Sequence, residues 1–433
     1  MATTKTHYPV KPHPRGYVAL KASNPPPMNG KLEGPWLHAP WSQPFMDIEG
    51  PDKPAPRHAT RVKMLWDERA LYVGAWMDEP QPWAHLTLHD DVIYQDNDFE
   101  IFIDPDGDNH MYYEFEVNAL GTWWDLFLVR PYRDGGPALH SFESVAPSEP
   151  TVATGPTGWE PVQRAVWVDG AVNDGEVVSR GWGVEVALPW SLLRQAAQRD
   201  SPPKPGDQWR INFSRVQWRV RWDAAARVYV KHPPAQSEAN WVWSPQWAVA
   251  MHQPEYWGYV QFSDVRTDSA AASCASAAAA TSSPTGADFA SAAGPEVAGV
   301  GAGGQAFTPD PTWPLRSLLM EVYYAQKRLW DAEQRYADSL SELGLPEPEP
   351  HVALAARVQS TEVSFVASAQ LPAEAEAAQA VHEPSGAQAA GAGSSGDAAA
   401  SSEMVTRMYV NEEGRITTRK VKATPSHGTA AQR

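Results

Sequence analysis

The 433-residue chain has one cysteine, no long apolar run and a shortage of positive charge. A single cysteine, Cys274, excludes an intrachain disulfide and any cysteine-built metal site, so the fold does not depend on an oxidising compartment. No stretch approaches the roughly 20 apolar residues that a membrane-spanning helix requires. The first 22 residues carry basic side chains without the apolar core of a secretory signal, which makes the cytoplasm the default expectation. With 35 Lys and Arg against 52 Asp and Glu, the net charge is −17. That balance argues against nucleic acid or an anionic membrane as partner, because both demand a basic face. It fits plain solubility, or a neutral or cationic ligand. The histidines lack the spacing of a zinc-ligand set. A nucleophile elbow, a Walker loop and a dinucleotide fingerprint are missing too. Met251 and His252 are adjacent in sequence, so on extended backbone they point apart and cannot both ligate one haem iron.

What is abundant is tryptophan. Of 20, 18 lie between Trp36 and Trp257, enough to build a core and spare rings for a surface. Over the same region apolar residues alternate. Thr60–Trp66 and Leu71–Met77 flank Asp67-Glu68 as a hairpin, and Phe99–Asp104 and Met111–Asn118 flank the turn Pro105-Asp106-Gly107-Asp108. Further strands are expected at 124–128, 165–168, 181–188, 209–216, 241–243 and 258–262, with a short helix at 190–197 after Pro189. Many short strands with regular turns indicate a mainly β protein, an antiparallel β-sandwich of jelly-roll or immunoglobulin-like type. Residues 1–30 read as a flexible arm, 31–266 as the sandwich and 267–311 as a disordered Ala/Gly/Ser-rich linker. From Trp313 to Leu343 the apolar period becomes helical, stopped by Gly344. That long helix joins short strands in a unit over 312–420, interrupted by a low-complexity insertion at 372–403, with a disordered tail over 421–433.

Glu100 is flanked by Phe99 and Ile101 and so faces away from them; Asn118 stands likewise beside Val117. Of the consecutive pair Trp123 and Trp124, one must face the core and the other the outside. Trp83, Tyr94 and Trp247 fall in loops, where binding residues concentrate. Asp104, Asp106 and Asp108 offer oxygen ligands for calcium, but position twelve from Asp104 is Phe115, so the loop is not an EF-hand; a bare turn is the first reading and a calcium site the alternative.

Several strings then occur in order: Phe45-Met46-Asp47-Ile48-Glu49-Gly50, Val62–Val73, Asn97–Asp108, Tyr112–Thr122, Gly181–Trp190, Gly206–Arg215 and Trp243–Gly258. Together they resemble carbohydrate-binding module family 9-like proteins of the DOMON-like group, over about 230 residues. The resemblance implies a jelly-roll sandwich that holds an oligo- or polysaccharide between two aromatic rings, an association with carbohydrate catabolism, and no cofactor beyond a structural calcium ion that it does not locate. It places Tyr94 at the first stacking position, Glu100 as a hydroxyl-accepting carboxylate and Asn118 as an amide partner. Glu116 stands where the family pattern has arginine. The second stacking position falls at Met251 or His252, with Trp247 nearby. The helix over 313–343 resembles a C-terminal extension of such proteins and is a candidate protein-binding element. Two other readings are a hydrolase of O-glycosyl bonds using Glu100, Glu114, Glu116 or Glu185, and a scaffold whose sugar site has degenerated.

Overall fold

A computed structural model describes residues 11–140, 144–145, 161–232, 238–269, 306–345, 357–361, 364–370 and 404–422. The cores of the two low-complexity segments and most of the tail lie outside the described residues. The chain divides into two units, Pro14–Pro309 and a second made of Met1–His13 with Asp310–Arg433.

The larger unit is built from β1 (Gly16–Lys21), β2 (Met46–Asp47), β3 (Thr60–Trp66), β4 (Ala70–Asp78), β5 (Asp98–Asp104), β6 (Tyr112–Asn118), β7 (Trp123–Leu128), β8 (Ala138–His140), β9 (Ser144–Val145), β10 (Val162–Asp169) and β11 (Gly181–Pro189). Helix α1 (Trp190–Ala197) follows, then β12 (Gln208–Gln217), β13 (Val220–Asp223), β14 (Val228–Lys231), β15 (Ala239–Val242) and β16 (Gly258–Arg266). One hydrogen-bonded path runs β8-β7-β6-β5-β12-β16-β1-β3-β4-β11-β10-β9. It curls so that its two halves share a core. Val62, Met64, Val73 and Val184 from one half cluster with Phe99, Ile101, Phe115 and Phe213 from the other. This is the sandwich, and alternation on each strand creates it by sending every second residue inward.

The expected flexible arm is corrected here. Residues 16–21 form β1, which pairs in parallel with both β16 and β3. Tyr17-Val18-Ala19-Leu20 is buried on both faces, so it shows no alternation, and the polar, proline-rich flanks hid it. The sheet is therefore mixed rather than antiparallel throughout. Residues 22–39 then strap the outer face of this half, with Trp36 buried on Leu65 and Tyr72. Glu185 fixes the strap by accepting the Asn29 and Leu32 backbone N–H groups at 2.8 Å each, which removes it from any set of catalytic acids.

The smaller unit carries α2 (Trp313–Glu333) and four antiparallel strands, β17 (Arg357–Ser360), β18 (Phe365–Gln370), β19 (Met404–Asn411) and β20 (Ile416–Lys422). Leu315, Leu319, Val322 and Tyr323 of α2 pack on Phe365, Met408 and Val410. The apolar face that was a candidate for a protein partner is thus filled by the chain's own sheet. The helix also ends ten residues before Leu343, with Gln334 in the left-handed region at φ 56°. Leu340 and Leu343 still pack on the same cluster from the following turns, which prolonged the apparent period. Gln326 closes the reversal by hydrogen-bonding both backbone groups of Ala337, at 2.9 and 2.8 Å. Among the described residues, no helix is long and apolar enough to cross a membrane.

Candidate functional site

The face of β5, β6 and β7 turned away from the core holds Glu100, Glu114, Glu116, Trp124 and Leu126. Register brings them together: Glu100 pairs with Glu116 and with Ser214 of β12, and Glu116 pairs with Trp124. They floor a cleft of about 370 Å³ whose walls include Tyr94, Tyr132, Val216, Asn240, Met251 and His252. Trp123 takes the opposite direction from its neighbour, stacking on Phe115 in the core at 5.6 Å between ring centroids.

Tyr94 sits on a 3-10 turn, Ile93–Gln95, and both of its backbone groups are held. Its N–H donates to Glu116 Oε2 at 2.9 Å, and its carbonyl accepts Trp218 Nε1–H at 2.9 Å. The ring stays 44 % exposed and leans on Trp124, centroids 6.3 Å apart at 33°. Tyr132, 48 % exposed, meets His252 edge-on at 4.5 Å. His252 Nδ1 hydrogen-bonds the Tyr112 hydroxyl at 2.9 Å, and its Nε2 lies 3.9 Å from Glu114 Oε1. Two pairs of rings therefore line a floor of carboxylates.

Those carboxylates are buried, and burial dominates their acidity. It pushes Glu100 up to about 7, reinforced by Glu238. Burial also raises Glu114, with Glu100 adding repulsion, and raises Glu116 next to Glu100 and Asp98. Burial, with the nearby Arg133 guanidinium, holds His252 down at about 4, so it is neutral at pH 7. Glu100 Oε2 and Glu114 Oε2 are buried and have no hydrogen-bond partner.

Six of the residues anticipated from sequence thus meet in one cleft: Tyr94, Glu100, Glu116, Trp124, Met251 and His252. Three do not. Asn118 is fully buried and organises a turn, donating to Leu86 O and Asp96 Oδ2 and accepting from the Leu120 and Thr122 N–H groups. With donors and acceptor committed, it has nothing left for a ligand. Trp247 lies against Gly50, where an added Cβ would sit 2.8 Å from the indole. Trp83 is buried with Val216, Trp218 and Tyr229, stacks on His85 at 5.5 Å, and lines a different cavity. Sequence reasoning had weighed Glu114 only as an acid and missed Leu126, Tyr132, Val216, Glu238 and Asn240. The first two of the six were readable, since Glu114 and Leu126 each lie two residues from a recognised position on the same strand. Tyr132 sits on a 3-10 turn and carries no periodic signal.

Asp104, Asp106 and Asp108 bring carboxylate oxygens within 4.8 Å of one another. Asp104 accepts the Gly107 and Asn109 N–H groups at 2.9 Å each. Burial and then mutual repulsion raise Asp104 and bring Asp106 up to about 6. Asp106 Oδ1 is buried without a partner. A hard divalent cation fits this donor set, relieving the repulsion and satisfying the orphan oxygen. The set lies in the β5–β6 turn and does not line the cleft.

Residues 28–125 match the family model described as carbohydrate family 9 binding domain-like. Over that span the chain is similar to this family. The matched span contains β3 to β6 and the first part of β7, and with them Tyr94, Glu100, Glu114, Glu116 and Trp124. Solved structures similar to the chain include a family 9 carbohydrate-binding module from Caldicellulosiruptor kristjanssonii in complex with cellotriose, at 14 % identity and TM-score 0.33, covering 58 % of this chain and 94 % of that one. A family 9 module from the same organism in complex with glucose matches at 14 % and 0.33, covering 57 % and 96 %. A protein from Bacteroides uniformis matches at 15 % and 0.40, covering 57 % and 99 %. No curated protein matches the chain.

Proposed function

We propose that the chain binds a saccharide in the cleft on β5, β6 and β7 and serves carbohydrate breakdown by holding the sugar rather than by cleaving it. One observation carries the reading: Tyr94, Trp124 and Tyr132 surround buried carboxylates in a single cavity large enough for one or two sugar rings. Pyranose C–H faces pack on aromatic rings, and hydroxyls donate to fixed carboxylate oxygens. The similarity of residues 28–125 to carbohydrate family 9 binding domains supports the same reading. Titration calorimetry of the full chain against a panel of oligosaccharides tests it. Binding that is weakened in Trp124→Ala and in Tyr94→Ala is the expected result. Binding unchanged in both variants would place the sugar elsewhere, and release of new reducing ends during incubation would make the cleft hydrolytic.

A further inference from the structure

The charge of the cleft is one-sided. Glu100, Glu114 and Glu116 lie on its floor and Glu238 on its wall, and among the described residues no lysine or arginine lines it. His252, its one imidazole, is neutral at pH 7. Arg133, behind His252, is already engaged with Glu255 and Asp134 and with the His252 carbonyl. The floor therefore holds acceptors with no matching cation. Glu116 commits one oxygen to the Tyr94 N–H, whereas Glu100 Oε2 and Glu114 Oε2 have no partner although their residues are 4 % and 5 % exposed. Behind them Asp98 adds a further carboxylate, and oxygens of Asp98, Glu100 and Glu116 converge within 4.8 Å.

A neutral sugar satisfies such a floor only in part. Each hydroxyl supplies one proton and brings no charge, so it cannot offset the burial that raises the Glu100, Glu114 and Glu116 carboxyls and disfavours their ionised form. A primary ammonium supplies three donors and the missing charge at one atom. The rings suit it as well, because Tyr94, Trp124 and Tyr132 present faces that attract a cation as readily as C–H groups.

Granted that the cleft is a saccharide site, we infer that its preferred ligand is an amino sugar with a free amine, the ammonium seated among Glu100, Glu114 and Glu116. An acetylated amine has neither the charge nor the three donors and is disfavoured.

The test is titration calorimetry of the full chain at pH 7.5, above the value of about 7 to which burial pushes Glu100, against four probes: a glucosamine trimer, an N-acetylglucosamine trimer, cellotriose and calcium chloride. The glucosamine trimer is expected to bind at least ~10-fold more tightly than either neutral trimer, equivalent to about 1.4 kcal/mol. That preference is expected to vanish in Glu114→Gln and in Glu116→Gln, which keep the side-chain shape. An acidic chain attracts any oligocation, so a preference that survives both variants overturns the inference. Neutral trimers that bind as tightly as the glucosamine trimer and are weakened by Trp124→Ala also overturn it, while sustaining the saccharide reading. Failure of every sugar to bind overturns both. Calcium binding that is abolished by Glu116→Gln assigns the floor to a metal ion and overturns the inference. Tryptophan fluorescence checks that each variant is folded, and agreement between the two glutamine variants guards against a local defect in either.

Discussion

Replacing Glu100 with glutamine tests the electrostatics of the cleft without any ligand. Burial raises the Glu100 carboxyl from the ordinary 4.5 to about 7 in the folded chain. The folded state then holds a proton that the unfolded state has released, so stability falls as pH rises between those values and is level above them. The contribution is fully present below pH 4.5 and is lost by the time pH passes about 7. A rise of this size corresponds to about 3 kcal/mol. Solvent screening does little to reduce it, because the residue is 4 % exposed. Glu100→Gln carries no proton to lose, and it also removes repulsion that acts on Glu114 and Glu116. The variant should therefore lose about 3 kcal/mol less than the parent between pH 5 and pH 8. Urea denaturation followed by tryptophan fluorescence measures this in the larger unit, which holds 18 of the 20 tryptophans. Parallel stability profiles for parent and variant would refute the reasoning, because they would mean that Glu100 titrates alike in both states.

Other outcomes follow from the same structure. Trp124→Ala should weaken saccharide binding by about 1 kcal/mol, roughly fivefold, in calorimetry, while Trp247→Ala and Asn118→Ala leave direct ligand contacts intact. Glu79→Ala strands the buried Arg215 guanidinium, now paired at 2.9 Å, and should cost about 3–5 kcal/mol in urea denaturation. Gln326→Ala leaves both backbone groups of Ala337 without their partner and should destabilise the smaller unit by about 2–3 kcal/mol, seen as faster hydrogen exchange in the segment around residue 337. Calcium should raise the melting temperature of the parent but not of Asp106→Asn, with the effect reversed by a chelator.

Period-two alternation made most of the sandwich legible, because many strands set apolar core residues on one face against more polar residues on the other, even where both faces are covered. It failed where both faces are apolar. Tyr17–Leu20 has no alternation to read, and the resulting arm conceals a strand between β16 and β3. The β13–β14 hairpin, at 220–231, was likewise unread, its few apolar residues packing with Trp83, Val216 and Trp218 in a small cluster. In the cleft, strand-borne residues were accessible from pattern and resemblance, since register fixes Glu100, Glu116 and Trp124 side by side. Of the loop residues, Tyr94 and His252 came from the resemblance and not from any pattern. Whether Trp83, Trp247 or Tyr132 reaches the cleft depends on long-range packing, and of the three only Tyr132 lines it. Asn118 was misassigned because a polar residue on the outer face looks solvent-directed until the 84–97 segment is seen to cover it.

The central claim is that a sugar lies in one particular cleft, and the crystal structure of the chain with its best-binding oligosaccharide tests it most directly. The account predicts a pyranose ring against Trp124 and Tyr94, with polar atoms of the sugar in hydrogen-bond reach of Glu100 and Glu114. A sugar found instead in the cavity beside Trp83 and Tyr229, with the Glu100 cleft holding only solvent, would contradict it.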